Sequence, residues 1–165
     1  SFEYAQKGID LEIVTGNNDA DAALMLMWAE GKFPAENIAH VTDMLLHWGG
    51  NASGVGVANI DSQGDVHPDT FWPGVKLGSV KENSFADIWQ DNSHPVLQVL
   101  RSDRKKIHGR CSECRFFSIC NGNTRVRAQQ LLGDAWASDP GCYLSDDEIG
   151  RLKNETRDFT QNDLT

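Results

Sequence analysis

The four cysteines of this chain are Cys111, Cys114, Cys120 and Cys142, a Cys-x2-Cys-x5-Cys run followed by one distant thiol. The first three are close enough in sequence to close on one metal centre, and thiolates select soft metals and iron–sulfur clusters. The surrounding sequence is basic, with seven Lys or Arg against one acid, Glu113, between Arg104 and Arg127. Such cations stabilise an anionic centre. Disulfides are disfavoured, because an acidic chain of cytosolic type with a Cys-x2-Cys argues against them. A tetrahedral zinc site built from four cysteines is a stronger rival, since such sites routinely contain Cys-x2-Cys. Zinc ribbons usually present two close pairs, whereas three near ligands and one far one suit the larger cube of a [4Fe–4S] cluster. Spacing alone leaves both metals open.

These residues sit in a chain of 165 residues that is 39% hydrophobic and 24% charged, ordinary for a folded protein of one domain or one and a half. Fifteen basic residues against 24 acidic ones give a formal net charge of −9. That balance argues against a general nucleic-acid partner. No apolar run approaches the roughly 20 residues that span a bilayer, so no membrane association is expected and a cytoplasmic setting fits. A start at Ser1, with no initiator Met, is expected of a piece of a longer protein.

Several elements must position the cysteines. Leu11–Thr15 has the pattern of a buried strand, ended by Gly16, Asn17 and Asn18, with Asp19 as N-cap of a helix over Ala22–Ala29. Pro34 opens a second helix to about Trp48, with Ile38, Val41, Leu45 and Trp48 on one face. Strand, turn and helix in that order are expected of a βα unit in a larger parallel architecture. The pattern changes at Gly49-Gly50-Asn51. Two β segments, Val55–Ile60 and Val66–His67, flank a turn at Asp61–Gly64, and a short extended segment covers Val75–Val80. Ser84 precedes a short helix at Phe85–Trp89, and Pro95 opens another to about Arg104. Ser145 and Glu148 have the spacing of a capping box for a last helix.

Gly78-x-Val80, Phe85-x-x-Ile88-Trp89, Leu100-Arg101 and the cysteine run together resemble the SPASM-type extension of radical SAM enzymes. The runs Gly49–Asp61, Val66–Trp72, Asn123–Ala128 and Trp136–Tyr143 are similar to the radical SAM proteins of heme d1 biosynthesis, as is Ile13–Asp21. The resemblance implies an α/β fragment followed by a small α+β domain. Residues 1–50 would be the C-terminal βα elements of a partial TIM-like barrel, 51–150 a SPASM-like hairpin-and-helix domain, and 151–165 a polar tail. Departures from the family are informative. Asn51–Gly54, Asp69 and Thr124 stand near positions where a full SPASM region carries further cysteines, which leaves ligands for one auxiliary [4Fe–4S] cluster. The catalytic Cys-x3-Cys-x2-Cys motif is also absent from this chain, so it is expected to be inactive alone.

By the same resemblance, the parent binds S-adenosylmethionine and a second [4Fe–4S] cluster on the N-terminal barrel. Its substrate would be a siroheme-derived tetrapyrrole, 12,18-didecarboxysiroheme, from which two propionate side chains are removed. A 5′-deoxyadenosyl radical would abstract hydrogen, and an auxiliary cluster on Cys111, Cys114, Cys120 and Cys142 would take the released electron. Arg110, Arg115 and Arg125 are candidates for tuning that cluster. Arg125 and Arg127 could instead bind substrate carboxylates bidentately, or simply form surface ion pairs. His67 is a substrate candidate, against an ordinary hydrogen-bonding role beside a turn. Thr15, Gly16, Asn17 and Asn18, at the end of a barrel strand, could contact S-adenosylmethionine or merely form a βα turn. The five tryptophans are expected in packing, with Trp72 the one candidate for stacking. Other SPASM proteins, of siroheme-dependent heme synthesis or peptide maturation, are the alternatives, as is a zinc-stabilised binding module.

Overall fold

The structure is a computed structural model that describes residues 2–11, 16, 18–102 and 106–150. Most of the expected Leu11–Thr15 strand, with Thr15 and Asn17, lies outside the described residues, as does the tail beyond 150. Helix α1 spans Phe2–Gln6, α2 Ala20–Glu30 and α3 Ala35–Trp48. In α2, Ala20, Ala23, Leu26 and Ala29 are buried at helical spacing, as one packed face requires. Asp19 does not cap it with its side chain; the Asn18 Oδ1 instead accepts from the Ala20 amide at 3.3 Å. Pro34 precedes α3, and Gly49, at φ 75°, ends it by donating its amide to the Leu45 carbonyl. Ile38, Val41 and Leu45 pack inward as their spacing implies. Trp48 does not: at the last turn it is 76% exposed, beyond the packed part of the helix.

The hairpin forms as expected. Strands β1 (Asn59–Ile60) and β2 (Asp65–His67) pair antiparallel, and β3 (Gly78–Ser79) adds antiparallel to β2. Asp61 holds the turn by accepting from the amides of Gln63 and Asp65 at 2.8 and 2.9 Å. Helix α4 (Phe85–Gln90), capped by Ser84, lays Ile88 against Gly78 of β3. Helix α5 (Pro95–Leu100) ends short of the expected Arg104, at Arg101, whose side chain bonds the Gly54 carbonyl and Asn92. Two short helices follow, α6 (Phe117–Cys120) and α7 (Arg125–Leu132).

Two cores hold these pieces. Ala20, Ala23 and Leu26 pack with Phe116, Ile119, Leu144 and Ile149, so α2 shares its core with the segments that carry the cysteines. Each fully buried large side chain there contributes about 1.5–3 kcal/mol. Trp72, Leu100, Val126 and Ala135 form the second core, with Trp136 against it. Trp72 is therefore a packing residue, 3% exposed, and not a stacking platform. Trp28 meets Phe2 and Phe33 edge-on at the surface. The described residues thus make a small α+β fold with one three-stranded antiparallel sheet. No helix among them is long and apolar enough to cross a membrane.

Candidate metal centre

Three segments bring the cysteines together. Cys111 lies in a 3-10 turn, Gly109–Glu113, and Cys114 follows it; Cys120 ends α6, and Cys142 follows the Asp139-Pro140-Gly141 turn. All four are free thiols, and all four line one cavity that Ala20, Ala23, Phe116, Phe117 and Leu144 enclose with apolar atoms. The thiols occupy its walls without converging on a point; among the described residues, no three His, Cys, Asp or Glu side chains are gathered on a single ion.

The chain after Cys120 turns through three consecutive left-handed residues: Asn121 (φ 54°), Gly122 (φ 78°) and Asn123 (φ 58°). Asparagine tolerates that region, and glycine is required at the centre, where a Cβ would collide with Ile107. Asn123 then organises its surroundings. Its Oδ1 accepts from the Asp19 and Thr124 amides, and its Nδ2 donates to the Asn18 Oδ1 at 2.6 Å. The Asn18 Nδ2 donates to the carbonyl of Gly141, next to Cys142. On the other side, the Asn51 amide donates to the Cys120 carbonyl, and Asn121 donates to the Asn51 carbonyl at 3.0 Å. Gly50 presses so closely on the Cys120 backbone that a Cβ would not fit. Ser138 Oγ accepts from the Cys111 amide at 3.0 Å and donates to the His108 carbonyl.

Burial raises the thiols of Cys114 and Cys142 and pushes Cys120 up to about 12. Opposing this, backbone amides two residues on, at Phe116, Gly122 and Leu144, aim at the sulfurs of Cys114, Cys120 and Cys142. Those donors are positioned for thiolates, so a metal that displaces the thiol protons finds its ligands already hydrogen-bonded. An apolar cavity lined by four free thiols, three of them served by amide donors, fits an iron–sulfur cluster.

The expected substrate contacts are placed differently. His67 is 3% exposed, its Nδ1 2.8 Å from the Val75 carbonyl and its Nε2 3.3 Å from Asp61. A carbonyl only accepts, so Nδ1 carries the proton and the ring braces the hairpin. Arg125 is fully buried and donates to the carbonyls of Gly122, Asn123, Ala135 and Ala137. Arg127 makes a bidentate pair with the buried Asp139, at 2.8 and 2.6 Å. Both arginines are thus engaged within the fold. Arg110 donates to the Leu144 carbonyl and pairs with Asp146 at 3.0 Å, while Arg115 lies over the Phe116 ring. Gly16 is exposed, and Asn18 is engaged with the cysteine loops. Sequence reasoning passed over Asn123 and Gly50; the Asn-Gly-Asn run directly after Cys120 was the available signal for a left-handed turn.

A second cavity, about 420 Å³, lies across the first turn of α2, which turns Asp19, Asp21 and Ala22 toward it and Ala20 and Ala23 toward the cysteines. Asn51, Ser53, Asp69 and Thr124 line it, and Ser53 donates to Asp69. Their hard oxygen and nitrogen atoms do not suit an iron–sulfur cluster.

The family model for SPASM, an iron-sulfur cluster-binding domain, matches residues 53–115, from the hairpin through Cys114. The chain is 55% identical over 144 residues to pre-heme d1 synthase of Dinoroseobacter shibae, covering 87% of this chain and 35% of that protein. It is 38% identical over 148 residues to Fe-coproporphyrin III synthase of Methanosarcina barkeri, covering 88% of this chain and 37% of that one. A shorter stretch of 92 residues, 54% of this chain and 24% of the relative, is 32% identical to PqqA peptide cyclase of Methylocella silvestris. No solved structure matches. The chain spans about a third of the length of the first two relatives. The hairpin and first cysteines therefore carry a SPASM match, and most of the chain is similar to about a third of pre-heme d1 synthase.

Proposed function

We propose that this chain holds one auxiliary [4Fe–4S] cluster on Cys111, Cys114, Cys120 and Cys142, as part of a radical SAM enzyme of heme d1 biosynthesis. The observation that carries this reading is the gathering of four free thiols, from three separate segments, around one apolar cavity. When bound, such a cluster supplies one-electron transfer. Four thiolates would leave no iron open, which favours electron transfer over substrate coordination.

The substrate in this reading is a siroheme-derived tetrapyrrole that loses propionate groups, in keeping with the name of the relative at 55% identity. The N-terminal barrel of the parent would supply S-adenosylmethionine and the second cluster, with Thr15, exposed Gly16 and Asn17 as the candidate contacts on this side. His67, Arg125 and Arg127 act from beneath the surface, holding the hairpin and the cysteine loops. The substrate side is the second cavity, where Trp48 and Phe71, 76% and 55% exposed, offer ring faces to a flat macrocycle. Of its three carboxylates, Asp19, Asp21 and Asp69, the last two are engaged by Tyr143 and Ser53. One turn of α2 would then separate substrate from cluster.

EPR of the reduced, iron-reconstituted chain tests the ligand set. Cys142→Ala should change the signal or lower the iron content. A Cys142→Ala spectrum and iron content identical to those of the parent chain would refute four-cysteine ligation.

A further inference from the structure

Arg125 is an unusual residue for the interior. It is 0% exposed, the largest of the fully buried side chains, and among the described residues it forms no ion pair. Its guanidinium contacts are neutral carbonyls, those of Gly122, Asn123, Ala135 and Ala137. Asp139 is near, but that carboxylate is held on both oxygens by Arg127, and the pair is neutral as a unit. A buried charge is costly unless an opposite charge answers it.

The position of Arg125 shows where that answer lies. The Arg125 guanidinium carbon is 3.6 Å from where a Gly122 Cβ would stand, and Gly122 lines the cysteine cavity. The four carbonyl bonds of Arg125 also tie the turn after Cys120 to the segment that leads to Cys142. A [4Fe–4S] core with four thiolates is a dianion when oxidised and a trianion when reduced.

We propose that Arg125 is a positioning residue whose buried guanidinium is the built-in counter-charge of the cysteine-bound cluster and raises its reduction potential. The inference rests on the four-cysteine reading above. A fixed cation behind the Gly122 turn stabilises the trianion more than the dianion, so it favours uptake of the electron. Arginine suits the place because its fork can bond several carbonyls while staying charged.

The test is a redox titration, followed by EPR, of the reconstituted full chain carrying Arg125→Gln or Arg125→Lys. Arg125→Gln should load iron and shift the midpoint to more negative potential, while Arg125→Lys, which keeps the charge, should stay near the parent value. If Arg125→Gln does not fold, an Arg125→Lys protein at the parent potential still supports the assignment. An Arg125→Gln cluster at the parent potential would overturn it. So would an Arg125→Lys protein that fails to fold, or one shifted as far as Arg125→Gln, since the fork and not the charge would then matter. Failure of the unmutated chain to take up a cluster would instead sink the four-cysteine reading itself.

Discussion

The side-chain amides of Asn18 and Asn123 meet at 2.6 Å, although 105 residues separate them in the chain. Asn18 also reaches the Gly141 carbonyl, so this one contact joins the flank of Cys120 to the flank of Cys142. The centre is therefore assembled by the start of α2 as much as by the cysteine segment.

Asn18→Ala should expose that dependence. It leaves the Asn123 amide and the Gly141 carbonyl without partners, at a cost of about 1–3 kcal/mol. Thermal unfolding should shift down, and iron retained after reconstitution and desalting should fall. Asn18→Asp, which keeps the acceptor for Asn123 but loses the donor to Gly141, should lie between. Parent-like melting and iron content in Asn18→Ala would remove Asn18 from the assembly.

Gly50 is expected to be intolerant of any side chain. At φ 64°, with the Cys120 backbone in the way of a Cβ, Gly50→Ala should cost more than about 1 kcal/mol and lower iron loading. Gly56→Ala is the comparison, because its Cβ would meet only Ala52 at an ordinary 3.5 Å. That variant should stay within about 0.5 kcal/mol of the parent by denaturant unfolding.

His67→Ala separates a structural role from a substrate role. Losing the ring leaves the partly buried Val75 carbonyl without its donor, so stability should drop by about 1–3 kcal/mol. The iron content and EPR signal of the reconstituted protein should not change. Unchanged melting, together with lost substrate binding by the full-length enzyme, would return His67 to the substrate site.

Much of this was legible in the sequence, and the exceptions share a cause. The hairpin was readable because Asp61 and Gly64 fix the turn locally. The α3 face was readable from Ile38, Val41 and Leu45, and the cap at Ser84 from local spacing; at Ser145 the capping-box bonds form, but residues 146–150 make a turn rather than the expected helix. The four cysteines were readable as a group, and the cavity gathers them. The partners of Arg125, Arg127 and His67 were not legible, because polar side chains look alike in sequence whether they face solvent or groups within the fold. Their placement depends on Ala135, Ala137, Val75 and Asp139, which spacing does not reveal. The long-range partners of Asn18 were hidden for the same reason, since Asn123 and Gly141 are more than a hundred residues away.

The buried thiols make the metal-free chain sensitive to alkali. Burial pushes Cys120 from 9.0 up to about 12 and raises Cys114 and Cys142. The folded state therefore keeps protons that the unfolded state releases, and stability falls as pH rises above the unfolded thiol value. Melting of the reduced, metal-free protein should begin to drop near pH 9, where unfolded thiols ionise, and keep dropping toward about pH 12, where Cys120 ionises in the folded state. Cys120→Ala should flatten that decline. A decline equally steep in Cys120→Ala would show that other groups cause it.

The central claim is one cysteine-bound [4Fe–4S] cluster, and metal and sulfide analysis after anaerobic reconstitution tests it most directly. The predicted result is a brown protein with about four irons and about four sulfides per chain, bleached by dithionite. A colourless protein that takes up no iron and holds one tightly bound zinc would contradict it.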